Sequence, residues 1–176
     1  MKRLVSGLLS IIILLLTSCF SMTNTVRSDY FQSGIKQTFD DFENTKYIHL
    51  TIAAHDLSLL MERSIRFTKT INRGNEGYSI KTHLYAASWF FLETIKFNID
   101  GTIFEYKSSD NSRDVLNGGY VEELNYFAID SDLLNALNIG NNITIRLYGK
   151  NSYMDIKLGE NEKNLFKEYF TQVSHP

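Results

Sequence analysis

One cysteine, one proline and ten glycines are spread over 176 residues, and each scarcity excludes a class of protein. A single cysteine cannot close a disulfide within the chain, so this is not a small disulfide-stapled scaffold, and its stability has to come from a core. So little proline and glycine in a chain that is 43% apolar excludes collagen-like, low-complexity and disordered character. An excess of one charge is missing too: 18 basic side chains face 20 acidic ones. Nucleic acid is therefore not expected as a partner, because it calls for a broad electropositive face. What is present is enough apolar and aromatic material for one packed domain and too little for two.

The N-terminus carries an address. Lys2 and Arg3 precede thirteen uncharged residues, 4–16, which Ser6, Gly7 and Ser10 interrupt. That run is shorter than the about 20 apolar residues needed to cross ~30 Å of hydrocarbon, and it reads as a secretory h-region rather than a membrane span. Leu16, Thr17, Ser18 and Cys19 follow. This order resembles the lipobox of bacterial lipoprotein precursors, a resemblance that covers the first nineteen residues.

The resemblance implies cleavage between Ser18 and Cys19 by a type II signal peptidase, a diacylglycerol on the Cys19 sulfur and an N-acyl lipid on the new terminus. Each buried methylene contributes about 0.8 kcal/mol, so one chain holds a protein marginally and two or three anchor it. No other cofactor is expected. The protein is then exported and membrane-anchored in the bacterial cell envelope. Phe20 stands where an aspartate retains some lipoproteins at the inner membrane, which favours the outer membrane. Loss of Lys2 and Arg3 leaves sixteen basic against twenty acidic groups, with no polybasic second anchor, so lipid carries the attachment.

The chain divides into a signal peptide (1–18), a lipidated N-terminus with a polar tether (19–34) and one β-rich domain (35–176). Period-two alternation dominates the last. In 47–53 it sends Ile48, Leu50 and Ile52 to one face and Tyr47, His49 and Thr51 to the other. Ile65, Phe67 and Ile71 alternate with Arg66, Thr68 and Thr70, and Tyr78, Ile80, Thr82 and Leu84 with Ser79, Lys81, His83 and Tyr85. A loop is expected over 72–77, a long strand over 89–99, a two-residue turn at Asp100 and Gly101, and a return strand over 102–107. Residues 108–117 read as a polar loop and 120–129 as a strand. Short helices are expected at 132–137, capped by Asp130 or Ser131, and at 57–62, capped by Asp56. Ile143, Ile145 and Leu147 alternate with polar neighbours, residues 153–158 pair back, and Leu165, Phe166, Tyr169, Phe170 and Val173 form one face of a C-terminal amphipathic helix. The expected fold is α+β and mainly antiparallel, a sandwich or partly closed barrel with that helix and one or two short ones.

Motifs for catalysis are sparse: no G-x-S-x-G elbow, phosphate-binding G-x-x-x-x-G-K, dinucleotide G-x-G-x-x-G or H-E-x-x-H helix occurs. His49, His55 and Asp56 form the best metal-ligand grouping, of a type zinc favours. On a straight strand the two histidines would be about 20 Å apart, so a shared ion needs a bend. Asp110 to Asp114 begins like a calcium loop, but Val115 and Val121 occupy the positions where that loop needs Gly and Glu, so a polar turn is expected. Glu122 and Glu123 are strand neighbours pointing to opposite faces, which argues against a catalytic carboxylate pair. His49 and His83 are expected on solvated faces.

Aromatics are in excess, with Trp89, Phe91 and Tyr120 the candidate binding residues and the C-terminal helix expected to cover part of the set. These features favour a lipid-anchored envelope protein with a non-catalytic domain that binds another envelope component or a ligand. The alternatives are a carrier of an apolar molecule or lipid in a β-barrel or sandwich cavity, and a metal-dependent hydrolase built on His49, His55 and Asp56.

Overall fold

The computed structural model describes residues 32–56 and 61–174, with 54–56 and 61 described through their backbone alone. Cys19, the lipobox and most of the tether lie outside the described residues. Among the described residues, ten strands and two helices follow in order: β1 (Gly34–Asp40), β2 (Thr45–Asp56), β3 (Met61–Asn72), β4 (Asn75–Ala86), β5 (Leu92–Ile99), β6 (Thr102–Lys107), β7 (Asp110–Val115), β8 (Val121–Ile129), α1 (Ser131–Ile139), β9 (Ile143–Gly149), β10 (Tyr153–Lys157) and α2 (Glu160–Ser174). They build a six-stranded sheet, β1-β2-β3-β4-β8-β7, and a four-stranded one, β10-β9-β5-β6. Every pairing is antiparallel. The fold is α+β and sandwich-like, and the sheets do not close into a barrel. No helix among the described residues is long and apolar enough to cross a membrane.

Alternation does in space what it does in sequence. Ile143, Ile145 and Leu147 of β9 and Ile95, Phe97 and Ile99 of β5 are buried between the sheets, and their polar neighbours form the outside. The interior is filled with rings: Phe67 lies edge-on to Phe166 at 4.8 Å between centroids and tilted against Phe97 at 6.1 Å. α2 packs on the inner side of the larger sheet at its β1 and β2 end, contributing Phe166, Tyr169 and Val173 to the core. Lys69, 3% exposed, points inward from β3. Its Nζ donates to the Val173 carbonyl at 2.6 Å and pairs with Glu76 at 2.6 Å. A cation thus meets the negative end of the α2 dipole.

Local signals explain the turns and caps. Asp100 and Gly101 have φ of 48° and 94°, the positive values that a tight hairpin turn requires. The Asp100 carboxylate also accepts the backbone N–H groups of Asn141 and Asn142 at 2.9 and 2.8 Å, tying this hairpin to the loop after α1. Asp130 caps α1 by accepting the N–H of Leu133 at 3.0 Å, and Tyr106 Oη donates to the same carboxylate. A cap of this kind contributes about 1 kcal/mol.

Four expectations are corrected. The loop over 72–77 is only a two-residue turn, Arg73 and Gly74, because the polar residues around it belong to the projecting ends of β3 and β4. The strand expected from 89 begins at Leu92, since Phe91 has φ of 56°, outside the extended region. The polar loop over 108–117 contains β7, an edge strand whose residues are all exposed; it pairs with β8 through its backbone and has no apolar face to announce it. The helix over 57–62 does not reach its expected ends, because Asp56 pairs with Met61 and His55 with Glu62 as strand residues, while 57–60 lie outside the described residues.

Candidate binding site

The outer face of the six-stranded sheet carries neither α1 nor α2, both of which pack into the inner core. At the β1 to β3 end of this face, register determines which side chains meet. Lys36 of β1 stands opposite His49 of β2, which stands opposite Thr68 of β3. One pair along, Gly34 faces Thr51, and Thr51 faces Arg66. Directly opposed Cβ atoms are about 5 Å apart and diagonal ones about 7–8 Å, so Lys36, His49 and Arg66 form a row across three strands. With Ser33, Thr38 and Thr51 they line an open groove of about 420 Å³. Gly34 leaves the floor of the groove bare, with no atom within 4 Å of where a Cβ would stand.

His49 is held on both edges and one face. Its Nδ1 lies 3.0 Å from Thr68 Oγ1 and its Nε2 3.3 Å from Thr38 Oγ1, so the neutral ring donates through one nitrogen and accepts a hydroxyl proton at the other. Its ring stacks on Tyr47, with centroids 5.9 Å apart and planes 7° apart. Burial, followed by the nearby positive charges of Arg66 and Lys36, lowers its pKa to about 4. The imidazole is therefore neutral across the physiological range, and the two cations supply the charge of the groove. Arg66 is aimed by a hydrogen bond from Nε to Thr51 Oγ1 at 3.2 Å.

A pH dependence follows from His49. Its pKa is lower folded than unfolded, so between about 4 and 6.5 the unfolded chain binds the extra proton and the folded one does not. Stability is expected to fall as pH drops through that window. Burial holds the His83 pKa down as well, so it acts in the same direction. Thermal midpoints measured from pH 7 to pH 4 are expected to decline less steeply in His49→Gln than in the parent. Parallel curves would mean that His49 is not held neutral.

The residues expected from sequence separate into several places. Trp89 and Phe91 form one ring pair, 6.0 Å between centroids, with the Arg113 guanidinium 5.3 Å from the Phe91 ring. Tyr120 belongs to another pair, stacked on Tyr85 at 5.0 Å. The C-terminal helix covers neither pair; its buried residues meet Ile48 and Phe67. The β2 and β3 register runs one-to-one from Thr45 to Asp56, so β2 has no register break that would fold His55 back towards His49. Six residues of continuous strand separate the two by about 20 Å. The side chains of His55 and Asp56 lie outside the described residues, and no group of three metal-binding side chains forms among those described. Asp110 and Asp114 are strand residues of β7 and close neither a calcium loop nor a turn.

His83 is 7% exposed rather than solvated, and its Nε2 is 2.6 Å from Glu122 Oε1. Glu122 and Glu123 do point to opposite faces. Glu123 turns inward, 1% exposed, and accepts the backbone N–H groups of Phe90, Phe91 and Leu92. The groove residues missed from sequence are Lys36 and Thr38, which lie on an exposed edge strand with little apolar alternation. Arg66 and Thr51 were visible as the polar faces of their strands; their convergence was not.

Fold and site together define an antiparallel β-sandwich with helices packed into its inner side and an open, cationic groove on the outer face of the larger sheet. No protein-family model, no curated protein and no solved structure matches the chain.

Proposed function

We propose that the protein is a lipid-anchored component of the bacterial cell envelope whose β-sandwich binds a ligand or partner without catalysis, through the groove on the outer face of the six-stranded sheet. The observation that carries this reading is the groove itself: about 420 Å³ lined by Lys36, Thr38, His49, Thr51 and Arg66, on a face free of both helices. Its side chains are oriented by hydrogen bonds across three strands, which favours recognition by a preformed surface. The anchoring half rests on Leu16, Thr17, Ser18 and Cys19. The space between the sheets is packed with Phe67, Phe97, Phe127 and Phe166, which turns the reading towards a surface binder and away from a carrier with an internal cavity.

Both halves are testable in one strain. Labelling with a fatty-acid analogue is expected to mark the full chain and to leave Cys19→Ser unmarked and released from membranes. A photo-crosslinking residue at position 38 is expected to give an adduct in intact cells, while one at Asn98, on the outer face of the other sheet, gives none. Adducts from position 98 alone, or an unlabelled parent chain, would overturn the corresponding half.

A further inference from the structure

β7 ends the six-stranded sheet, with β8 on one side and, among the described residues, no strand on the other. Its register with β8 runs one-to-one from Asp110 opposite Tyr126 to Val115 opposite Val121. Leu116 N–H continues the ladder by donating to the Tyr120 carbonyl at 2.8 Å. Backbone groups of an antiparallel strand alternate in direction. Those of Asp110, Ser112 and Asp114 therefore turn to β8, as Leu116 does, while those of Asn111, Arg113 and Val115 turn outward. All the residues of β7 are exposed, and an exposed edge of this kind is a template for pairing with another chain.

Two of the outward donors are already engaged. Asn111 N–H donates to Asp110 Oδ1 at 2.8 Å, and Val115 N–H donates to Asp114 Oδ1 at 2.8 Å. In each case the acceptor is the side chain of the preceding residue, so cap and donor are brought together by adjacency in the chain. Arg113, between the two caps, sends its guanidinium to Glu123 and Asn111.

We propose that β7 is a closed edge, in which Asp110 and Asp114 occupy the N–H groups an incoming strand needs and so keep a second copy of this chain from adding β7 to β7. Each copy presents the same edge, and a two-fold axis at Arg113 would set Asn111 of one copy opposite Val115 of the other. Both capped donors would lie in that one pairing. Forming it requires each carboxylate to release its N–H, and it brings the aspartates of both copies to one seam, where like charges oppose pairing. The device is separate from the groove, which lies at the opposite, β1 end of the same sheet.

Sedimentation equilibrium of the full chain in density-matched neutral detergent tests it. Asp110→Ala/Asp114→Ala is expected to raise the dimer fraction at least about fivefold over the parent at equal concentration. Both aspartates are exposed, so the variant keeps the fold. Asp110→Asn/Asp114→Asn retains a side-chain oxygen to accept each N–H and is expected to sediment like the parent. Adding Val115→Pro to the alanine variant removes an outward donor without costing a bond to β8, and is expected to restore the parent's behaviour. Amide exchange is expected to show Arg113 N–H becoming protected as concentration rises in the alanine variant alone. An alanine variant that associates no more than the parent would overturn the proposal. So would an asparagine variant that associates as strongly as the alanine one, which would assign the effect to charge, or association that survives Val115→Pro, which would place it away from this edge.

Discussion

Replacing Glu123 with alanine is expected to lower the free energy of unfolding by about 3–5 kcal/mol, the summed cost of leaving three backbone N–H groups without their acceptor. Glu123 points inward from β8 and is 1% exposed. Its Oε1 accepts the N–H groups of Phe90 at 2.5 Å and Phe91 at 2.8 Å, and its Oε2 accepts Leu92 N–H at 3.1 Å. Arg113 Nε stands 3.4 Å from Oε2. These bonds hold the crossover between the two sheets, where Phe91 adopts φ of 56°, a conformation that costs a non-glycine residue about 1–3 kcal/mol unless its surroundings enforce it.

Gly149 completes the seat, for a Cβ there would come within 2.2 Å of the Phe90 carbonyl oxygen. Without the carboxylate, three N–H groups and Arg113 lose their acceptor together. Glutamine retains one acceptor but turns an NH₂ towards N–H donors, so about half of the loss is expected to remain. Urea unfolding measures the energies. Fluorescence of Trp89, the chain's sole tryptophan, reports the crossover directly and is expected to shift in the folded state of both variants. An alanine variant within about 1 kcal/mol of the parent would show that the clamp is dispensable.

Phe67→Ala is expected to destabilise to a similar degree, by about 3–5 kcal/mol, through a cavity rather than a lost acceptor. Phe67 is fully buried and touches both things that cover the inner face of the six-stranded sheet: Phe166 of α2 and Phe97 of the smaller sheet. Deleting its ring loosens both contacts at once, and the β-sheet beneath it cannot collapse to fill the space. The thermal midpoint is expected to fall by roughly 10–20 °C. Phe67→Leu, which keeps most of the volume, is expected to recover more than half of that. Equal losses in the two variants would mean that ring shape, not volume, is what the junction needs.

Sequence alone determined the strands with a buried face. Ile48, Leu50 and Ile52 alternate because one side of β2 is core, and the same reasoning located β3, β4 and β9 together with the faces they bury, while β8 was placed without its face. The turn at Asp100 and Gly101, the Asp130 cap and the apolar face of α2 were equally legible, because each is decided by residues within a few positions of one another. The two edge strands of the larger sheet were not. β1 and β7 bury little, so no apolar period marks them; their existence depends on backbone pairing with β2 and β8.

Inward-facing polar groups were illegible for a related reason. Nothing near Glu123 or Lys69 in sequence marks them as buried, since only the tertiary fold brings the N–H groups of Phe90 to Leu92 and the Val173 carbonyl to them; His83, expected on a solvated face, is instead buried on the outer face against Glu122. The groove belongs to the same class: Lys36, His49 and Arg66 are thirty residues apart from first to last, and nothing local relates them. Local chemistry determined the elements and which side of each is apolar. Register across three strands, set by burial of the opposite face, decided which polar side chains converge.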